Sequence, residues 1–182
     1  MFESSGDDEN AIWALSHQAD LYRQEGDTSQ ARSLYQDALE RFRRLDFSHG
    51  IASCLHDLGG LEAAEGRLAE AQRLYRQSLR LYGPQNLSDL PRGLESLAEV
   101  AIQCGQPQRA LALAGAAAAI RKRFHVRTMN PARRVEVERK IDLARNEAGG
   151  EAAALWMKGW NMSPEETIEY AVQGGDDTWK TS

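Results

Sequence analysis

A repeated pattern of small and apolar residues, about 40 residues long, is the strongest constraint that this sequence places on its fold. The second copy follows the first after 40 residues, and a weaker third copy follows after 39. Self-similarity at such a period is typical of stacked supersecondary units, none of which can bury its apolar stripe alone. The matching positions are Gly26, Ala31, Leu34, Tyr35 and Leu39, then Gly66, Ala71, Leu74, Tyr75 and Leu79, then Gly105, Ala110, Leu113 and Ala117.

Each copy is predicted to be a helical hairpin. The glycine separates two apolar-periodic segments and can end a helix in a left-handed conformation at little cost. The alanine five residues later lets two helices approach closely, and the tyrosine one turn further fills the space between hairpins. Ala and Leu dominate the sequence whereas Ile, Val and Thr are scarce, which favours helices and argues against a large sheet. Helices are expected near 10–24, 28–45, 49–65, 68–82, 90–103 and 107–123.

The three copies resemble the tetratricopeptide repeat, whose pattern is small residue, aromatic, Gly, Ala, aromatic, Ala. The resemblance implies an all-α, right-handed superhelical solenoid of hairpins with a C-terminal helical cap. Two departures stand out: Glu62 replaces an aromatic residue, and the third copy lacks both large rings. The period also exceeds the family's usual length of about 34 residues. The matching residues are Ala19, Tyr22, Gly26, Ala31, Tyr35 and Ala38; Gly59, Glu62, Gly66, Ala71, Tyr75 and Ser78; and Ala98, Ala101, Gly105, Ala110, Ala114 and Ala117.

The register changes after Arg123. Asn130 and Pro131 read as the start of a helix that runs to about Glu147, and a short helix with Trp156 and Trp160 follows. Residues 163–166, Ser-Pro-Glu-Glu, form a capping-box sequence that opens a last helix. The predicted organisation is a remnant or linker of a preceding repeat over 1–9, three hairpins over 10–123, capping helices over 124–172 and a flexible tail over 173–182.

The C-terminal part carries a second resemblance. The Ala-rich segment 110–121, the Pro-capped charged helix and the segment 154–166 together are similar to the C-terminal end of LuxR-type and maltose-regulator-type transcriptional regulators and signalling ATPases of bacteria. That resemblance implies a sensor or interaction arm of a bacterial regulatory system. The sequence has no Gly-x-x-x-x-Gly-Lys-Ser/Thr phosphate loop and no recognisable helix-turn-helix, so ATPase and DNA-binding activities are not implied.

A concave groove lined by the first helices of the hairpins is the predicted binding site. Its side chains are mostly polar, carry both charges and include few large apolar groups, which suits a protein or peptide better than an apolar metabolite. The predicted function is therefore non-catalytic protein–protein interaction. The groove residues are Trp13, Ser16, Asp20, Arg23, Ser53, His56, Asp57, Arg92, Glu95 and Glu99.

Two alternative functions stay open. Residues 121–145 hold nine basic and three acidic residues, and Arg121, Lys122, Arg123 and Arg127 are candidate contacts for nucleic acid. The same cations also suit the C-terminus of a helix, and the net charge of −5 argues against a nucleic-acid partner. A small-molecule sensor is the other alternative, with Trp156 and Trp160 beside a pocket, although these rings also suit an anchor that seals the last repeat.

Other classes of site have little support in the sequence. Two cysteines cannot form a disulfide framework or a four-ligand zinc site, and no cofactor, metal site or catalytic residue is predicted. No apolar run approaches the length of a membrane span, and the acidic N-terminus lacks a signal peptide, which together favour the cytoplasm. Apolar residues at helical spacing near the N-terminus predict either a preceding repeat or a homodimer through the N-terminal hairpin: Ile12, Leu15, Ala19 and Tyr22.

Overall fold

The computed structural model describes residues 3–126 and 131–173 of the 182-residue chain. This described part is helical throughout its regular structure and contains no β-strand, which confirms the all-α prediction. The predicted boundaries agree with the observed ones to within one or two residues except at the first helix. The helices are α1 (Glu3–Glu25), α2 (Thr28–Arg44), α3 (Ser48–Ala64), α4 (Leu68–Tyr82), α5 (Leu90–Gln103), α6 (Pro107–Phe124), α7 (Pro131–Ala148), α8 (Ala152–Trp160) and α9 (Pro164–Val172), with a 3-10 turn at Gly149–Glu151.

The helices fall into two compact units. The N-terminal unit ends at Leu81 and contains the first two hairpins, and the C-terminal unit begins at Tyr82. In the N-terminal unit α1 pairs with α2, and α3 packs against α2. Tyr35 and Phe42 are fully buried between these helices.

The turn between α1 and α2 has the conformation that the repeat predicts. Gly26 adopts a φ of +85°, and the equivalent Gly66 and Gly105 adopt +77° and +67°. Left-handed backbone of this kind strains any residue with a Cβ, so glycine is the residue that ends these helices cheaply. Asp27 then caps α2 by accepting a hydrogen bond of 3.0 Å from the backbone N–H of Gln30.

The second hairpin shows why the repeat requires small residues. A Cβ on Gly59 of α3 would stand 2.9 Å from the ring of Tyr75 on α4, so the glycine makes room for the aromatic ring. Ala71 is fully buried early in α4, as predicted. Ser78, at the position where the first copy has alanine, donates a hydrogen bond of 2.7 Å to the carbonyl oxygen of Ala52.

The C-terminal unit is built around α6. Its helix packs with α5, α7, α8 and α9, and its Ala-rich sequence is buried on nearly all sides. The predicted capping box of α9 is confirmed, because Ser163 Oγ accepts from the N–H of Glu166 and Glu166 Oε2 accepts from the N–H of Ser163. Arg109 holds the other end of α9 through hydrogen bonds to the carbonyl oxygens of Tyr170, Ala171 and Gln173.

The N-terminal helix differs from its prediction in two ways. It begins at Glu3, seven residues before the expected start. Ile12 and Ala19, which were expected to present an uncovered apolar face, are 4% and 0% exposed within the N-terminal unit itself. Leu15 and Tyr22 pack against the same core. The expectation of an uncovered face is therefore wrong, because the chain's own hairpin covers most of it, and the homodimer stays a prediction.

Candidate binding sites

Helices α1 and α3 bring part of the predicted groove together in the N-terminal unit. Asp20 and Arg23 lie on α1 with side chains 39% and 47% exposed, and Asp57 lies on α3 with its side chain 19% exposed. Ser53, one turn before Asp57, is half-buried. We call the four residues Asp20, Arg23, Ser53 and Asp57 the α1–α3 polar face.

The hydroxyl group of Tyr35 is hydrogen-bonded to this face and fixes the position of one of its carboxylates. It donates a hydrogen bond of 2.6 Å to Asp20 Oδ1, and Arg23 donates one of 3.3 Å to the same oxygen. Burial raises the pKa of Tyr35, and its bond to Asp20 and the charges of Asp57 and Asp20 raise it further. The phenol therefore stays protonated and holds the Asp20 carboxylate in place.

Three other predicted groove residues, on α1 and α3, pack against neighbouring side chains. Ser16 and His56 are 4% and 8% exposed, so little of either side chain reaches solvent. Ser16 Oγ lies 3.8 Å from Cys54 Sγ, and His56 Nδ1 lies 3.3 Å from Asp57 Oδ1. The centroid of the Trp13 ring lies 4.9 Å from the centroid of the Phe42 ring.

The C-terminal unit contains a cleft of about 1400 Å³. Much of its lining is apolar, and we call this space the C-terminal cleft. The apolar residues that line it are Ala114, Ala118 and Phe124 of α6, Val137 and Ile141 of α7, Trp156 and Trp160 of α8, and Leu87 and Val126 outside these helices.

The rim of the C-terminal cleft carries both charges, and most of them are paired. Arg121 makes a two-pronged ion pair with Glu95, at 2.9 and 2.8 Å. Arg134 pairs with Glu138 at 2.9 Å, and Arg145 pairs with Asp142 at 2.7 Å. Two predicted groove residues, Arg92 and Glu95, thus lie at this cleft. The third groove residue of α5, Glu99, accepts from Lys140 at 2.7 Å.

Each tryptophan of the cleft has a cation over its ring. The Arg145 guanidinium carbon lies 4.8 Å from the centroid of Trp156, and Lys122 Nζ lies 5.5 Å from the centroid of Trp160. Contacts of this kind are attractive because the face of an indole ring is electron-rich. Both rings are half-buried, so each retains surface that a ligand can reach.

The residues predicted to contact nucleic acid each make a different contact within the chain, where the structure describes them. Arg121 forms an ion pair with Glu95. Arg123 donates hydrogen bonds to the carbonyl oxygens of Trp160 and Met162 at the end of α8, at 2.5 and 3.1 Å. Lys122 faces Trp160. Arg127 lies outside the described residues.

The composition of the chain disfavours both a metal site and a membrane span. Within residues 3–126 and 131–173, no three His, Cys, Asp or Glu side chains are grouped to hold a metal ion. Among the helices of the same ranges, none has the length and apolarity that a membrane span requires.

The contribution of α7 to the cleft was missed in the sequence, where this helix read only as charged. Val137, Ile141 and Ala144 recur at spacings of four and three residues, which is the signal that would have revealed an inward-facing stripe. Ile141 and Ala144 are 4% and 0% exposed. Exposed Val135 and Leu143 on the opposite side of the helix obscured that periodicity.

The two hairpins of the N-terminal unit define a helical-repeat protein. Residues 4–83 match the family model of the tetratricopeptide repeat, the family that the repeated residues resemble. The match and the helical hairpins together support a tetratricopeptide repeat protein. Neither a curated protein nor a solved structure matches the chain significantly. The similarity of the C-terminal part to bacterial regulators stays a prediction.

Proposed function

We propose that this chain is a non-catalytic protein–protein interaction module that serves as the sensor or scaffold part of a bacterial regulatory system. Tetratricopeptide repeats generally mediate protein–protein interaction, and the matched segment contains the α1–α3 polar face. The observation that carries the proposal is the arrangement around Tyr35, whose hydroxyl group donates to Asp20 of α1 and whose pKa is raised in part by the charge of Asp57 on α3. The regulatory role rests on the resemblance of the C-terminal part to bacterial regulators.

The α1–α3 polar face suits a partner that offers basic or neutral polar side chains. Asp20 and Asp57 place two carboxylates near one hydroxyl, and Arg23 supplies a single cation. Complementary charges of this kind steer a partner and fix its register more than they add affinity. Because hydrogen bonds already hold Asp20, binding there has a small ordering cost.

Charge reversal on the face tests the proposal. The full chain, carrying an affinity tag, is used to capture binding proteins, and the captured partner is then purified and titrated. Asp57→Lys should weaken that partner at least tenfold, whereas Asp37→Lys should leave it unchanged. Asp37 is a matched control because its exposed carboxylate lies on α2 and pairs with Arg41, one turn later on the same helix. Equal affinity for both variants, with unchanged melting temperatures, would show that another surface binds the partner.

Small-molecule sensing is the second candidate function, and the C-terminal cleft favours it. A nucleic-acid role has weaker support, since Arg121 and Arg123 are engaged within the chain. Self-association is a further outcome of the capture experiment, which light scattering distinguishes from binding of another protein. Both cysteines are free thiols, which supports a reducing, cytoplasmic setting.

A further inference from the structure

We infer that the C-terminal cleft binds a small aromatic anion, a molecule with a flat apolar body and one acidic group. The inference concerns a different surface from the α1–α3 polar face and does not depend on the proposed protein interaction. It rests on the shape of the cleft, the fixed position of its two indole rings and the charges at its rim.

The C-terminal cleft shares the apolar lining and the charged rim of small-molecule sites, and it is larger than most of them. Such sites are concave and mostly apolar, with a few polar groups at their edge and volumes of roughly 300–1,000 Å³. At about 1400 Å³ the C-terminal cleft can hold one such molecule with room beside it. Ala114 and Ala118, one turn apart on α6, leave this space open, because a larger side chain at either position would project into it.

The backbone that carries the two indole rings is held by a close contact between α6 and α8. A Cβ on Gly115 of α6 would stand 2.2 Å from the carbonyl oxygen of Trp156, and one on Gly159 of α8 would stand 1.8 Å from that of Ala112. The two helices therefore touch backbone to backbone directly beside the tryptophans. A flat ligand that packs on the exposed part of these rings meets two helices that are already in place, so binding requires little movement of the backbone.

The charges at the rim select an acidic ligand. Arg121, Arg134 and Arg145 each have a carboxylate partner at 2.7–2.9 Å. Lys122 differs: among residues 3–126 and 131–173, the contact recorded for its ammonium group is the ring of Trp160, at 5.5 Å. An acidic group on a molecule packed against Trp160 would meet this ammonium, which has no carboxylate partner among the described residues.

Calorimetric titration of the full chain with three naphthalene compounds tests the inference. The probes are 2-naphthoate, the neutral 2-naphthalenemethanol and the cationic (2-naphthylmethyl)trimethylammonium. We expect 2-naphthoate to bind saturably with a Kd below about 1 mM, as its small size allows. The neutral alcohol should bind about fivefold to tenfold more weakly and the cation more weakly still. Added salt should reduce this discrimination.

Two variants and a matched control locate the site. Lys122→Gln should lower the affinity for 2-naphthoate to that for the alcohol, and Ala118→Phe should weaken both at least tenfold by filling the cleft. Lys158→Gln should change neither affinity. Lys158 is the matched control because its ammonium also lies over a ring, 5.1 Å from the centroid of Tyr170, but does not line the cleft. Circular dichroism melts verify that each variant folds.

Three results would overturn the inference. The first is an absence of saturable binding by 2-naphthoate at millimolar concentration. The second is equal affinity for the three probes in the wild-type chain. The third is retained binding in Ala118→Phe at a normal melting temperature. If a designed amphipathic helical peptide of two leucine heptads binds the cleft and 2-naphthoate does not, the cleft is a protein-docking groove instead.

Discussion

Gly159 lies so close to Ala112 that a Cβ on Gly159 would stand 1.8 Å from the Ala112 carbonyl oxygen. Real Cβ atoms do not approach a carbonyl oxygen so closely, and a carbonyl within a helix cannot turn away without breaking its own hydrogen bond. Gly115 has the same relationship to Trp156, from the opposite helix. The pair sets a distance between α6 and α8 that glycine alone permits, and it thereby positions the wall of the C-terminal cleft.

Gly159→Ala should destabilise the chain by about 1–3 kcal/mol or more, because the extra methyl group forces two helix backbones apart. This cost outweighs the gain of up to about 1 kcal/mol that alanine normally brings to a helix interior. Urea unfolding, followed by circular dichroism, measures the change. Gly150→Ala is the control, since a Cβ at Gly150 meets no atom within 4 Å, and its effect should be small. If both variants unfold at the same urea concentration, the close contact between α6 and α8 does not exist.

Glu62 gives the stability of the N-terminal unit a pH dependence. Its side chain is 7% exposed and forms ion pairs with Arg67 and Arg32. Hydrogen bonds from Arg67 and then Arg32 lower the pKa of Glu62 in the folded chain, against the opposing effect of burial. The carboxylate therefore stabilises the fold fully above its unfolded pKa of about 4.3, and this stabilisation is lost as pH falls through the lower folded value.

Glu62→Gln should cost about 1–2 kcal/mol at pH 7, because it removes the charge that both arginines contact. It should also make the free energy of unfolding less sensitive to pH between about pH 5 and 3. Urea titrations at several pH values measure both effects. Glu138→Gln is the control: its ion pair with Arg134 is solvent-exposed, so its loss should cost no more than about 0.5 kcal/mol. A pH dependence that is unchanged in Glu62→Gln would contradict the assignment.

The two thiols should differ in reactivity. Burial raises the pKa of Cys54 to about 12, whereas Cys104 is exposed and its pKa is raised less. Since the thiolate is the reactive form, a maleimide at pH 7.5 should label Cys104 in the folded chain and leave Cys54 unmodified. Both should react in urea. Mass spectrometry of the digested protein reads out each site, and rapid labelling of Cys54 in the native chain would show that α3 is less tightly packed than the structure has it.

Much of the hairpin architecture could be predicted because the residues that define a hairpin occur in both of the first two copies. Gly26 and Ala31 identify a turn and a close helix contact within the first copy, and Gly66 and Ala71 repeat both signals. The position of Glu62 could not be interpreted in this way. The family has an aromatic ring at this position, so the carboxylate departs from the sequence pattern. Its charge is compensated by Arg32, which lies 30 positions away in the sequence.

The candidate sites were predicted less completely than the fold. The polar residues of α1 and α3 follow from the repeat, but whether a residue reaches solvent depends on packing between helices. Ser16 and Asp20, one turn apart on α1, illustrate this: Ser16 is buried against Cys54 and Asp20 is partly exposed. The C-terminal cleft lies outside the matched repeats, so no pattern placed Ile141 and Trp156 at the same cleft.

Because Ile12 is buried in the N-terminal unit, a charge at this position tests the packing of the core. Ile12→Glu would place a carboxylate in the core of the N-terminal unit, where Ile12 is 4% exposed. An uncompensated buried charge is costly, so the variant should lose about 3 kcal/mol or more of stability, whatever the mass of the native protein. Leu21→Glu is the matched control on the same helix: Leu21 is 60% exposed, and its replacement should leave the melting temperature nearly unchanged. Thermal melts and light scattering are recorded on both variants. A folded, stable Ile12→Glu chain with a smaller mass than the wild type would show instead that Ile12 lies at an interface between copies.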